Sequence, residues 1–167
     1  YLADFGDYNA TMSAEVRFIR ALNYYYLLDG WGNVPFTTAI SSDKPARIKR
    51  ADLYKWLIDE LKNEVEPKLN DASPKTSTTT GYGRVDKAAA WMLLARLYMN
   101  AEVYTGTADW ANAKLYAKKV IDSPYKLYTT KKGQWSAYQQ LFMGDNGENG
   151  ASVEAIFPIL QDGLKTT

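Results

Sequence analysis

The 167-residue chain contains no cysteine and no histidine. Without thiols it forms no disulfide, and cysteine usage says nothing about its redox compartment. Without imidazole or thiolate, His-based catalytic triads, Cys-His dyads and the usual zinc sites are excluded within these residues. No apolar run is long enough to span a bilayer. No signal-peptide pattern is visible. An excess of one charge is missing too: 20 basic and 19 acidic residues leave a net +1. The two signs are interspersed, which argues against a nucleic-acid stripe or a polybasic membrane patch. Carboxylate chemistry survives these exclusions.

What is present is aromatic: 5 Trp, 13 Tyr and 5 Phe. The length suits one domain or part of a larger one, and it is enough to bury a real core. The chain opens on Tyr1 without a Met and ends on Thr167 without a helix stop. We therefore expect a segment of a larger protein.

Four helices are expected. The first covers residues 11–29 and is apolar almost all round, interrupted by Arg17 and Arg20 and closed by Gly30 and Gly32. Such a helix should be buried on most sides. Asn9 or Thr11 can cap it, since a short oxygen-bearing side chain accepts from the open N–H groups of the first turn. Residues 33–50 read as a loop, with Pro35 and Pro45 opposing helix. The second helix covers residues 52–66, with Asp52 as its cap and Pro67 at its end. Leu53, Trp56, Leu57, Leu61 and Val65 form its stripe. Residues 71–83, rich in Ser, Thr, Pro and Gly, read as a loop.

The third helix covers residues 86–101, with Ala88, Ala89, Ala90 and Ala95 permitting close approach and Trp91, Leu94, Leu97 and Tyr98 supplying bulk. The fourth covers residues 109–123, capped by Asp109 or Thr107 and stopped by Pro124. Trp110, Ala113, Ala117, Val120 and Ile121 are its expected buried stripe. The last two helices make an antiparallel hairpin resembling a tetratricopeptide-type repeat, with the period near 34 residues loosely kept. The first two make a similar pair. Stacked pairs bury surfaces that neither could bury alone. A short helix is expected within residues 134–142, and an extended segment over residues 153–160 in which Pro158 permits only an edge or bulged strand. The fold class is thus mostly α: antiparallel helix hairpins with a short extended C-terminal segment.

Residues 14–36 also match a family signature. Glu15, Arg17, Phe18, Arg20, Ala21, Tyr24, Tyr25, Gly32, Pro35 and Phe36 fit A-E-x-R-F-x-R-A-x-x-Y-Y followed by G-x-x-P-F, the pattern of the SusD/RagB family of surface glycan-binding lipoproteins. Residues 83–101, GRVDKAAAWMLLARLYMNA, resemble the family's G-R-A-D-K-x-A-A and L-x-A-R-L-Y-L-N-A. Val103-Tyr-Thr-Gly, Tyr125-Lys-Leu and Glu154-Ala-Ile-Phe-Pro-Ile-x-Gln-Asp-Gly163 extend the likeness over nearly all the chain. The long motifs look closest to the starch-binding SusD branch.

The resemblance implies a mostly helical, non-catalytic binder of starch or maltooligosaccharide. It further implies an outer-membrane, surface-exposed lipoprotein partnered by a SusC-like TonB-dependent transporter. The family's lipidated cysteine is not among these residues, so any membrane attachment would run through a lipid anchor elsewhere. Family glycan contacts come largely from outside this region, which leaves these residues mainly scaffold and transporter-facing surface. From the helix pairs alone, a tetratricopeptide-type protein-interaction scaffold without a carbohydrate role stays open. A glycoside hydrolase is disfavoured, because no recognisable motif positions a carboxylate pair; Asp59 and Glu60 read as an ordinary polar face.

Aromatic faces stack on sugar rings, while tyrosine hydroxyls bond sugar hydroxyls. Tyr24, Tyr25 and Tyr26 lie mid-helix, where packing is the stronger reading. Tyr82, flanked by Gly81 and Gly83, and Trp135, in a polar stretch, are the aromatics placed for exposure. Trp31 lies in a Gly-flanked turn that permits exposure, but packing is the stronger reading there too. These three are the ligand-binding candidates. Arg17 and Arg20 read as bonded to buried carboxylates, with Glu15, Asp29 and Asp86 as candidate partners. No cofactor motif stands out: Gly30-Trp-Gly32 follows a helix rather than a strand, and residues 145–150 fail the calcium-loop spacing.

Overall fold

The computed structural model describes residues 9–161. Asp162 and Gly163, the end of the last family motif, lie outside them. Six α-helices and one two-stranded ribbon make up the regular structure, with short π and 3-10 stretches.

Helix α1 is Ala10–Trp31. Asn9 caps it, its side-chain oxygen accepting from the Met12 N–H at 3.1 Å. Its end is set by Gly32, whose φ of +71° turns the chain while its N–H closes on the Leu28 carbonyl. The expected burial on most sides is only half met. Ala14, Phe18, Ala21, Tyr25 and Leu28 face the core, while Met12, Val16, Ile19 and Tyr26 stay exposed. The cause is that its contacts among the described residues fall mainly on the second helix and the π turn that continues it.

Residues 33–50 are not wholly a loop. Strands β1 (Val34–Pro35) and β2 (Arg47–Ile48) pair antiparallel, with Val34 opposite Ile48 and Pro35 opposite Arg47. Helix α2 follows as Arg50–Asp59, starting before the expected Asp52. Its N-cap, Lys49, offers no side-chain acceptor; Asn33 Oδ1 instead takes the Arg50 N–H at 2.8 Å. Asp52 lies in the first turn, where a carboxylate meets the positive end of the helix.

Beyond Asp59 the helix widens into a π turn over Glu60–Val65, then tightens into the 3-10 turn Glu66–Lys68. The spacing of the stripe explains the widening. Leu53, Leu57, Leu61 and Val65 recur every fourth residue, which drifts by roughly 40° per step in a 3.6-residue helix. A π turn, with more residues per turn, takes up that drift. All four side chains end fully buried, and Glu60 joins them.

Helix α3 (Lys87–Met99) is the most enclosed element, with eight buried residues. Helix α4 (Ala101–Thr105) continues it, and α5 (Trp110–Ile121) returns antiparallel, capped by Asp109 through the Asn112 N–H. The α1/α2 and α3/α5 hairpins are the expected tetratricopeptide-type pairs.

The stripe of α5 needs correction. Ala113 is buried, but Trp110 is 55% exposed and Ile121 71% exposed. Tyr116 takes the inward place, stacked on Tyr98 with ring centroids 5.6 Å apart and an interplanar angle of 15°. Trp56, Trp91 and Val120 are half-buried. Tyr98 of α3 offers its ring face to Tyr116, six residues further along α5 than Trp110. Trp110→Ala should therefore shift stability by less than about 0.5 kcal/mol, the range of ordinary surface changes; a melting curve checks this.

The tail is irregular. Ser136 and Gln139 form a capping box on α6 (Ala137–Gln140). A 3-10 turn occupies Ala151–Glu154, so the extended stretch begins at Ala155 rather than Val153. It pairs with no strand among the described residues. Ile156 and Phe157 instead pack back on the core, Phe157 edge-on to Phe18 at 5.6 Å.

Candidate functional site

Arg17 and Arg20 belong to the framework. Arg17 bonds Glu60 through Nε at 2.9 Å and Glu64 at 2.7 Å; Arg20 reaches Glu60 at 2.5 Å. The reading of arginines bonded to a buried carboxylate holds, but none of the partners named from sequence is correct. Glu15 is taken by Arg84. Asp29 accepts from the Tyr104 hydroxyl at 2.7 Å. Asp86 caps α3 and accepts from Tyr125 at 2.8 Å. Glu60 lies three residues after Leu57 and seven after Leu53, on the buried face of the helix, and so meets the arginines of α1. Its carboxylate is thereby engaged by two cations, which removes it from general acid or base work. The Lys68 ammonium, then Arg17, holds the neighbouring Glu64 carboxyl below its ordinary value.

Five interior tyrosines also serve the framework. Burial, then the charges of Tyr98 and Asp109, push the Tyr54 phenol up to about 12. Tyr98 is raised by burial, then by nearby carboxylates, chiefly Asp109. Tyr104, Tyr116 and Tyr125 are raised by burial first, then by Asp29, Glu66 and Asp86 respectively. A neutral acid with a raised folded pKa adds stability that is whole below its unfolded value, near 10.0. That stability is lost as pH climbs through the folded value. We expect unfolding by base to begin above about pH 10, with tyrosinate absorbance rising together with loss of helix. Tyrosinate forming well ahead of helix loss would contradict this.

Three aromatics with open surface, Tyr82, Trp135 and Trp31, lie at clefts. Two loops meet where the Ser77 N–H donates to the Gly147 carbonyl at 3.2 Å. Gly81 and Gly83, both at positive φ, shape the turn that presents Tyr82. A Cβ on Gly83 would sit 3.0 Å from Leu160, so the loop and the tail approach there as closely as glycine allows. The result is a cleft of about 660 Å³ lined by Tyr82, Ser77, Asp145, Asn146 and Glu148 on a floor of Leu141, Pro158 and Leu160. A neighbouring cleft of about 450 Å³ holds Trp135, 44% exposed, with Gln134, Gln140, Asn149 and again Asp145.

Residues 141–150 brace the ridge between these clefts. The Asn149 amide donates to the Gln140 carbonyl at 2.9 Å and to Asp145 at 3.2 Å. Tyr82 and Trp135, far apart in sequence, thus lie on two clefts that share one carboxylate. Trp31 is elsewhere, 74% exposed, in a cleft of about 580 Å³ beside Arg47, Lys49 and Arg50. Sequence patterning missed both Glu60 and this basic cleft. The four residues of 47–50 read there only as a solvated loop.

Chemically, the Tyr82 and Trp135 clefts offer ring faces beside amide and carboxylate oxygens, the complement of a polyhydroxylated ring. Among the described residues no group of acidic side chains is arranged to hold a metal ion. No described helix is long and apolar enough to cross a membrane.

No family model matches the chain. The starch-binding protein SusD of Bacteroides thetaiotaomicron is 49% identical over 154 residues, which are 92% of this chain and 26% of that protein. Surface glycan-binding protein A from Bacteroides uniformis superposes on 95% of the chain with a TM-score of 0.70 and 26% identity, the match covering 34% of that structure. Surface glycan-binding protein A from Bacteroides thetaiotaomicron, in complex with laminarihexaose, gives a TM-score of 0.53 at 28% identity over 76% of the chain and 26% of its own length. The chain therefore spans between a quarter and about a third of these relatives. Near-half identity to SusD along almost the whole chain, joined to a shared helical fold, makes these residues similar to a helical part of the SusD-like glycan-binding proteins.

Proposed function

We propose that these residues are the helical framework of a longer, non-catalytic glycan-binding protein of a Sus-type uptake system. The observation that carries this is the 49% identity to starch-binding SusD. Glycan binding is named in all three relatives, so it is the best-supported part. The SusD likeness favours a starch-type α-glucan, and the laminarihexaose complex of one relative marks a β-linked glucan as the competing ligand. A SusC-like transporter as partner, and a lipid anchor at the outer-membrane surface outside these residues, complete the proposal.

The inward aromatics support a framework role, because packing consumes them. Tyr24, for example, packs on Phe36 and Trp56 at 5.0 and 5.6 Å and bonds the Thr37 backbone. Where the chain itself touches glycan, the contacts are Tyr82 and Trp135, on clefts sharing Asp145. The engagement of Glu60 by two arginines supports a binder rather than a hydrolase. A tetratricopeptide-type scaffold without a carbohydrate role is the weaker reading, since the named relatives all bind glycans.

The glycan class is tested by electrophoresis of the protein, extended to its relatives' length, through gels containing amylopectin or laminarin. We expect retardation by amylopectin and little by laminarin. Retardation by laminarin alone would overturn the α-glucan assignment.

A further inference from the structure

The basic cleft at the start of α2 is not absorbed by this reading. Among its eight lining residues are Trp31, Asn33, Arg47, Lys49, Arg50 and Tyr104. Three of the eight are cations, and none of them forms an ion pair among the described residues. No carboxylate lines the cleft. Arg17, Arg20, Arg84, Lys87 and Lys119 each meet a carboxylate, whereas these three lie together without one. Three neighbouring cations without one create a local positive potential that draws an anion.

The surrounding backbone holds part of the cleft in place. Gly32 has φ +71°, and a Cβ there would lie 3.2 Å from Arg50 Cδ, so the arginine stem lies against the turn. Arg47 sits on β2, opposite Pro35. The Tyr104 hydroxyl is held by Asp29. The Arg50 N–H is already taken by Asn33, so the attraction comes from the side-chain cations and not from the helix end. Beside them stands the Trp31 indole, 74% exposed. Cations alone would suit any small anion; an open indole face adds a preference for a ring that carries the charge.

We propose that this cleft binds an acidic sugar, its carboxylate held by Arg47, Lys49 and Arg50 and its ring face against Trp31. Arginine supplies a planar fork matched to a carboxylate, and lysine a point charge beside it. The apolar face of a pyranose ring fits an indole as it does other aromatic sites. The site is separate from the Tyr82 and Trp135 clefts and does not rest on the α-glucan proposal. Loss of maltooligosaccharide binding would leave it standing.

The test is calorimetric titration of the chain with trigalacturonate, maltotriose and sodium sulfate at low and high salt. We expect trigalacturonate to bind, weakening about tenfold or more as salt screens the exposed charges. Maltotriose should not compete. The double variant R47Q/K49Q should lose trigalacturonate binding at least tenfold while keeping its melting temperature. Trp31→Ala should weaken trigalacturonate several-fold and leave sulfate unchanged. Sulfate binding as tightly as trigalacturonate would overturn the sugar assignment. Trigalacturonate affinity untouched by R47Q/K49Q, or absent in the folded wild type, would overturn the site.

Discussion

Glu60→Ala should lower the free energy of unfolding by about 3 kcal/mol, the low end of the cost of breaking a buried ion pair. The carboxylate is buried and accepts from Arg17 and Arg20, whose side chains are only partly exposed. Removing it leaves Arg20 without its carboxylate partner, and Arg20 Nε is already a buried polar atom with no partner. The remaining Arg17–Glu64 pair is more exposed and replaces little of what is lost. Glu60→Gln keeps an acceptor but not the charge, so it should fall between wild type and alanine. Replacing Glu60, Arg17 and Arg20 together by apolar residues of similar size should recover much of the loss, because no unpaired charge stays behind. Urea denaturation of the three variants separates these cases. A Glu60→Ala midpoint equal to wild type would show that the network is solvated and dispensable.

Asp86→Ala is the second large effect, expected at about 2–3 kcal/mol from a lost helix cap and newly unsatisfied buried groups. Asp86 is fully buried. One oxygen caps α3 through the Ala88 N–H at 2.9 Å; the other accepts from the Ser73 N–H at 3.0 Å and the Tyr125 hydroxyl at 2.8 Å. One carboxylate therefore ties the start of α3 to the loop before it and to the segment after α5. The Tyr125 hydroxyl has the Ser73 carbonyl 3.2 Å away as a second acceptor, which limits the loss. Asp86→Asn keeps an oxygen for the cap and should cost about half as much. Equal losses for Ala and Asn would mean that charge, not capping, is what matters.

These two carboxylates show how much was legible in the sequence. Helices with a short polar cap and a 3.6-residue stripe were readable because both signals are local. Asn9 and Asp109 cap as expected, whereas Asp52 lies in the first turn of α2 and Asp86 caps α3 unanticipated. The helix pairs followed from short connections and small residues. Contacts set between helices were not readable. Arg17 and Glu60 are 43 residues apart, and the packing of α1 against α2 and its π-turn continuation brings them together. Trp110 and Tyr116 both fit an apolar face of α5, and the seat offered by Tyr98 decides between them.

The clefts were legible only as aromatics in glycine-flanked or polar stretches. That signal marked Tyr82 and Trp135 for exposure; Trp31, weighted there toward packing, is 74% exposed. The signal could not show that Asp145 joins the first two, or that Arg47, Lys49 and Arg50 gather beside the third, since both depend on how the loops fold over one another.

The central claim is a division of labour, in which these residues provide the framework and the longer protein completes the glycan site. A sugar site needs several aligned aromatic and polar groups, each contributing modestly. Among the described residues, Tyr82 and Trp135 are the candidates on two clefts that share Asp145. Calorimetry with maltohexaose, on the folded chain and on the protein extended to its relatives' length, measures this directly. The account predicts clear binding by the longer protein and weak or no binding by residues 1–167. Equal affinity in the two would contradict it and locate the site within this chain, with Tyr82→Ala and Trp135→Ala as the variants that should then abolish it.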